Sequence, residues 1–207
     1  AYWAADGDKP VQAKKLLPVK AGEMGLRQSD AVFHHTRQLP DMLEQLAPQL
    51  AQGVAAIAAS DRPQQTEGSY MPCFLVGEGA ATSVSEALGV PLHKFSHQQG
   101  HIAAALYSAN KTDLFDTRFL AFHVSGGTTD IVLCEPDSEK IFKTTPIASS
   151  SDLKAGQAID RIGVKMGIKF PAGVGVELLA QNSKREFKNK IKLKDGFCSL
   201  SGLENKC

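Results

Sequence analysis

Two short stretches of the chain hold residue types that can do chemistry. The first is Ser125-Gly126-Gly127-Thr128-Thr129-Asp130, which joins the apolar strand patterns at 117–124 and 130–135. Glycines without a β-carbon let an oxygen-rich ligand come close to the backbone. Successive N–H groups can form an anion-binding nest, and the hydroxyls add further donors. A tight hairpin with no ligand explains the same glycines. The second stretch runs from Ser96 to Leu106, with His97 and His101 four residues apart at the start of an expected helix. At that spacing both imidazoles lie on one face, one turn apart, and can grip one divalent metal ion such as zinc or iron. Two ligands do not complete a site, and surface or capping histidines account for the pair equally well. The residues between them are Gln98, Gln99 and Gly100, so the glutamate base of an HExxH zinc peptidase is missing.

A third stretch, Ala155 to Arg161 followed by Phe170 to Glu177, offers Asp160 as an acceptor for ribose-type hydroxyls. It also offers Gly173 as a point of close backbone approach. A helical carboxylate and a loop glycine are the plainer reading. Lys184, Arg185, Lys188, Lys190, Lys192 and Lys194 collect on one polar stretch. That is either a solvated face or a local contact to RNA phosphates.

The elements that would position these residues alternate in type. Residues 11–19 and 53–59 read as strands. Helical spacing begins at Asp30, with a kink or a break between two helices expected at Pro40. Residues 74–88 and 97–108 read as helices around a short strand at 91–95. Strands at 117–124, 130–135 and 140–144 make an antiparallel meander. Helices are expected at 153–166, closed by Gly167, and at 175–181. Such alternation points to a layered α/β fold.

Bulk composition narrows the function classes. At 207 residues and 43% hydrophobic content the chain can bury a large core. A formal charge of +1 provides no net field for a dedicated nucleic-acid or membrane-surface binder, so a polyanion site must be local. Cys73, Cys134, Cys198 and Cys207 lack the spacing of a structural zinc or CxxC redox site and are expected to be reduced, mostly buried thiols. No run approaches the roughly 20 apolar residues of a membrane span, and the cytoplasm is the expected location. Asp6-Gly7-Asp8 is a turn signal next to Ala1, and the last ten residues stop where an element would begin. Both features are expected of a segment of a longer protein, incomplete at both ends.

The hairpin at 125–130 resembles the phosphate-binding Gly-Gly-Thr-x-Asp hairpin of the actin-like ATPases. Taken in order, the three stretches resemble the HxEGH, VSGGxTQ and AGEAFDK…YPGGP segments of the TsaD/Gcp family, also known as O-sialoglycoprotein endopeptidases or glycoproteases. Leu88-Gly89-Val90-Pro91 and Ser199-Leu200-Ser201-Gly202-Leu203 extend the likeness over nearly all of the chain. The resemblance implies an actin-like (ASKHA, ribonuclease H-like) layered α/β fold, with a first subdomain over 1–115 and the start of a second over 116–207. It implies that His97 and His101 ligate a divalent metal, iron or zinc. Ser125, Gly126, Gly127, Thr128 and Thr129 would line the phosphate end of a site for ATP or an adenylated threonylcarbamoyl donor, with Asp160 and Gly173 on the ribose side. The implied activity is threonylcarbamoyl transfer to the amino group of a tRNA adenosine beside the anticodon, through metal activation and orientation. No catalytic side chain is assigned.

The chain departs from the family pattern at Gln99 for Glu, Thr128 for His or Asn, and Asp130 for Gln. Of the stretch from Gly25 to His35 only His35 matches. These departures suggest a divergent paralogue. The resemblance also implies that the family's first strand lies upstream of Ala1 and its third metal ligand, an aspartate, beyond Cys207, so weak or absent metal and nucleotide binding is expected of the chain alone. Two alternatives accompany the transferase reading. One is a metallo-glycoprotease, which would need a general base that the sequence does not display. The other is a catalytically inert scaffold forming a homo- or heterodimer with a related actin-like paralogue, its small-residue helices at Ala80, Ala81 and Ala87 or at Ala103 to Ala105 packing against the partner or into the core.

Overall fold

A computed structural model describes residues 1–5, 7, 9–19, 26–185 and 193–206. Asp6 and Asp8 of the turn signal, residues 20–25, residues 186–192 of the basic stretch and Cys207 lie outside the described residues. Packing divides the chain into two units, Ala1–Gly100 and His101–Cys207. The division falls upstream of the 115/116 boundary expected from the sequence, because Ile102, Ala103 and Leu106 are built into the core of the second unit.

In the first unit, α1 (Gln28–Leu50) precedes a βαβ unit of β1 (Ile57–Arg62), α2 (Phe74–Leu88) and β2 (Leu92–Ser96). β1 and β2 pair in parallel, Ile57 opposite Leu92, with one irregularity between Ser60 and Arg62. A parallel pair needs a crossover, and α2 supplies it. α1 corrects the expected break: it is one helix through both Pro40 and Pro48. A proline removes one intrahelical bond, which the bonds of the flanking turns outlast. The strand expected at 53–59 starts later, at Ile57. Gly53, at φ +109°, donates to the Leu50 carbonyl in the turn that ends α1. Residues 11–19 form no strand. Only Val11 is bridged, to Tyr2, by paired 2.8 Å bonds.

The second unit is built on a sheet ordered β3-β4-β5-β7-β6. β3 (Phe119–Val124), β4 (Thr129–Asp137) and β5 (Ile141–Ser150) form the expected meander, and the short β7 (Phe197–Cys198) pairs in parallel with β5 and antiparallel with β6 (Leu193–Lys194). β5 extends six residues past the expected 140–144. Pro146, a poor interior strand residue, is accommodated where the register shifts beside Ile131 and Val132. α4 (Ala155–Lys165), α5 (Gly173–Gln181) and α6 (Ser201–Glu204) follow the sheet or close it. Gly167, at φ +84°, ends α4 as expected.

Alternation along the strands decides what each sheet face carries. Phe119, Ala121 and His123 face one side, opposite Cys134, Val132 and Asp130 respectively. The apolar members of this ladder pack with Phe142, Phe115 and the second half of α3 (His97–Ser108). Val132, Cys134 and Phe142 are almost fully buried. The other face carries Phe122, Ile131 and Ala148, which with α4 line a largely apolar cavity of about 490 Å³. Cys73, Cys134 and Cys198 are free thiols; only Cys134 is buried, and burial pushes its pKa up to about 11. Among the described residues no helix is long and apolar enough to cross a membrane.

Phe142 stacks on Phe115 at 5.7 Å and meets Phe119 edge-on at 6.0 Å. Phe142→Ala should therefore destabilise the second unit by about 3–5 kcal/mol, measured as a lowered urea midpoint with an unchanged slope.

Candidate functional site

The start of α3 is fixed by a reciprocal cap. Ser96 precedes the helix, and its backbone N–H and hydroxyl donate to Gln99 Oε1 at 2.9 and 3.1 Å. The Gln99 N–H donates back to Ser96 Oγ at 3.2 Å. This is a capping box, and both residues are buried. The neutral Gln99 thus has a local structural task. The Ser-x-x-Gln spacing that signals it was legible in the sequence and was passed over beside the histidines. The Gln98 N–H donates to the Pro63 carbonyl at 3.0 Å, tying the same turn to the loop after β1.

His97 and His101 both lie on α3, one turn apart. His97 belongs to the first unit, where its ring meets Phe74 edge-on at 5.5 Å. His101 belongs to the second, with its ring 5.7 Å from that of His123. Among the described residues no group of three or more His, Cys, Asp or Glu side chains is placed to hold a metal, so the donor set stays partial.

His123 is the site residue that sequence reasoning missed. Its signal was a histidine at an inward position of an alternating strand, where the sequence analysis weighed only the hairpin beyond it. Burial first, then the neighbouring His101, lower its pKa, against an opposing pull from Asp130, its cross-strand partner. His123 Nδ1 lies 3.1 Å from Thr128 Oγ1, which lies 2.9 Å from Ser125 Oγ. The N–H groups of Gly127 and Thr128 donate to Ser125 Oγ at 3.1 and 3.0 Å, and the Ser125 N–H donates to the Thr128 carbonyl at 2.9 Å. A continuous line of contacts therefore runs from His101 through His123 into the hairpin.

The hairpin is held from its far side by α4. The Ala155 N–H donates to Thr129 Oγ1 at 2.8 Å, and the Gly156 N–H to the Ser125 carbonyl at 3.2 Å. Both are first-turn amides without partners inside the helix. The approach is so close that a β-carbon on Gly156 would lie 2.7 Å from the backbone of Ser125 and Gly126. Asp160 sits one turn further along α4, about 6 Å from Gly156 along the axis. Its Oδ1 accepts the Ala172 N–H at 2.7 Å, which places it beside Gly173 at the start of α5. A β-carbon on Gly173 would meet open space. The structure thus brings Asp160 and Gly173 together, and joins the helix that carries Asp160 to the hairpin.

With this geometry in place the comparisons with known proteins decide the family. A family model described as TsaD, tRNA N6-adenosine threonylcarbamoyltransferase, matches residues 20–207. The chain belongs to the TsaD family. Proteins named tRNA N6-adenosine threonylcarbamoyltransferase are similar to it from Pediococcus pentosaceus (33% identical; 83% of this chain, 48% of the relative), Campylobacter jejuni (31%; 83% and 48%) and Methanopyrus kandleri (26%; 86% and 49%). The chain spans about half the length of these curated relatives. The mixed α/β architecture is accordingly part of the actin-like (ASKHA) fold of the TsaD family.

The Ser199-to-Leu203 stretch, which resembles a TsaD family segment, is organised by Asp152. Its carboxylate accepts the Ser199 hydroxyl at 2.6 Å, the Ser201 hydroxyl, and the N–H groups of Leu200 and Leu153 at 2.8 and 2.6 Å. These donors hold the carboxyl well below the usual carboxylate range, the Ser199 and Ser201 hydroxyls first.

Two predictions follow the two junctions. Gly156→Ala should cost about 2–3 kcal/mol, because backbone rather than a mobile side chain must give way; chemical denaturation measures the loss. For Asp152, a depressed folded pKa means that its stabilisation is full above the unfolded value near ~3.9 and fades as pH falls through and below it. The difference in thermal midpoint between the wild type and Asp152→Asn should then be largest at neutral pH and shrink steadily below about pH 4.

Proposed function

We propose that the chain is part of a threonylcarbamoyltransferase that modifies the N6 amino group of a tRNA adenosine. In this reading the 125–129 hairpin faces the phosphates of ATP or of an adenylated threonylcarbamoyl donor. Asp160 and Gly173 stand on the ribose side, and His97 and His101 are two ligands of a divalent ion, iron or zinc. Such an ion, when bound, supplies Lewis acidity toward the carbamoyl carbonyl. The residues of this chain orient the donor. Family membership supports the transferase class.

The observation that carries the site is the hairpin clamped between α4 and His123. Its one face receives the start of a helix, whose positive end favours anions. Its other face reaches His101 through His123. The phosphate would then sit within one connected set of groups in the second unit, to which His101 also belongs. The tRNA, a dimer with a related actin-like paralogue and a cytoplasmic location belong to the same proposal. With a formal charge of +1, local lysines such as Lys184 and Lys194 would supply the polyanion contacts.

The test is a chimera in which this chain replaces the matched segment of the Pediococcus pentosaceus relative. Transfer of radiolabelled threonylcarbamoyl to tRNA is expected. It should fall at least 100-fold in His101→Ala, consistent with loss of an ion that stabilises several kcal/mol of developing charge. A folded chimera with no transfer, or one whose activity is indifferent to His101, would sink the proposal. Cleavage of a sialoglycoprotein by the same chimera would instead favour the peptidase.

A further inference from the structure

The Ser125 hydroxyl has a forced direction. Ser125 Oγ receives two backbone N–H groups, from Gly127 and Thr128, and these fill its acceptor positions. Its own proton must then go to Thr128 Oγ1, 2.9 Å away. Thr128 Oγ1, having accepted, keeps one lone pair and its own proton for His123 Nδ1 at 3.1 Å, and the imidazole tautomer sets which way that bond runs. Donation from Thr128 to Ser125 would give Ser125 Oγ three donors and leave its own proton without a partner.

This direction has a consequence for the nest. Ser125 Oγ occupies the place where an anionic oxygen would receive the Gly127 and Thr128 N–H groups. Thr129 Oγ1 is committed as well, donating to the Thr128 carbonyl and accepting from Ala155. The hairpin is thus internally satisfied, and a ligand oxygen enters the nest by displacing Ser125 Oγ.

We propose that His123 is a positioning residue for the hairpin: by accepting at Nδ1 it aligns the Thr128 and Ser125 hydroxyls in one direction and holds the amide nest in a preformed, anion-ready shape. Nothing in the family match or the relatives' names assigns it a role. The inference deepens the reading of the hairpin as a phosphate site and rests on that reading only for its last step.

The decisive readout needs no nucleotide. Nitrogen-15 spectra of the full chain at pH 8 should place the His123 proton on Nε2, with Nδ1 as a hydrogen-bonded acceptor. Thr128→Val should remove the acceptor signature, while Thr128→Ser, which keeps the hydroxyl, should retain it. His123→Phe and Thr128→Val should each speed amide exchange at Gly127 and Thr128 about fivefold, the size expected for one lost hydrogen bond. The double variant should do no more than either single change. Exchange at Val132 and Cys134 serves as the folding control, and if His123→Phe fails it, the Val and Ser variants at 128 carry the test. A proton on Nδ1, an acceptor signature unmoved by Thr128→Val, or additive exchange effects would overturn the proposal. A final titration uses ADP, which should shift the Gly127 and Thr128 amides in the wild type and do so several-fold more weakly in Thr128→Val. If ADP leaves the wild-type amides in place, the phosphate reading fails while the tautomer result still judges the relay.

Discussion

Helix α4 begins where it does because residue 156 has no β-carbon. Its first amides reach the Ser125 carbonyl and the Thr129 hydroxyl only at a separation that any other side chain would forbid. That contact closes the hairpin on one side and sets the direction in which α4 leaves the sheet. Asp160 and the start of α5 then follow by helical geometry and a single 2.7 Å bond. Gly163 repeats the device, since a β-carbon there would lie 2.4 Å from that of Ala172. Two glycines about two turns apart thus let α4 lie close to the hairpin at one end and to α5 at the other.

Much of this was legible in the sequence. Residues 74–88 and 97–108 form helices with the expected bounds, since Gly89 and the Ser96 cap punctuate them. The meander was visible from alternation around the Gly126-Gly127 pair. What failed did so for tertiary reasons. Pro40 does not break α1, because one missing bond is small beside those of a long helix. Residues 11–19 have strand-like composition, yet beyond Val11 they have no strand partner among the described residues. β5 runs past Pro146 because a register shift absorbs it, and no local pattern announces a bulge.

The candidate site was legible in part for a different reason. Residue type and spacing single out His97, His101 and the hairpin, but they do not say which polar groups are already engaged. Ser125, Thr128 and Thr129 look in sequence like spare hydroxyl donors. In the folded chain each is tied into the hairpin or to α4, and the Gly127 and Thr128 amides are in turn tied to Ser125 Oγ. His123 escaped notice because its role depends on a side-chain bond across the hairpin, and only the strand register makes that bond.

Resemblance to a family does not by itself separate residues that do chemistry from those that build the scaffold. Gln99 closes the cap of α3, Gly156 admits α4, and Asp152 gathers Ser199 and Ser201. All of these fall within the residues that the family model matches, and each has a structural explanation. Removing them from the list of functional candidates leaves His97, His101, the hairpin and the Asp160–Gly173 pair, and of these Gly127 and Asp160 already hold bonds of their own. A polar group that the fold has already consumed can contribute to binding only by giving up a bond it holds, and that exchange is nearly neutral in free energy. Binding of an anion at the hairpin is therefore an exchange, in which a ligand oxygen takes over the Gly127 and Thr128 amides from Ser125 Oγ.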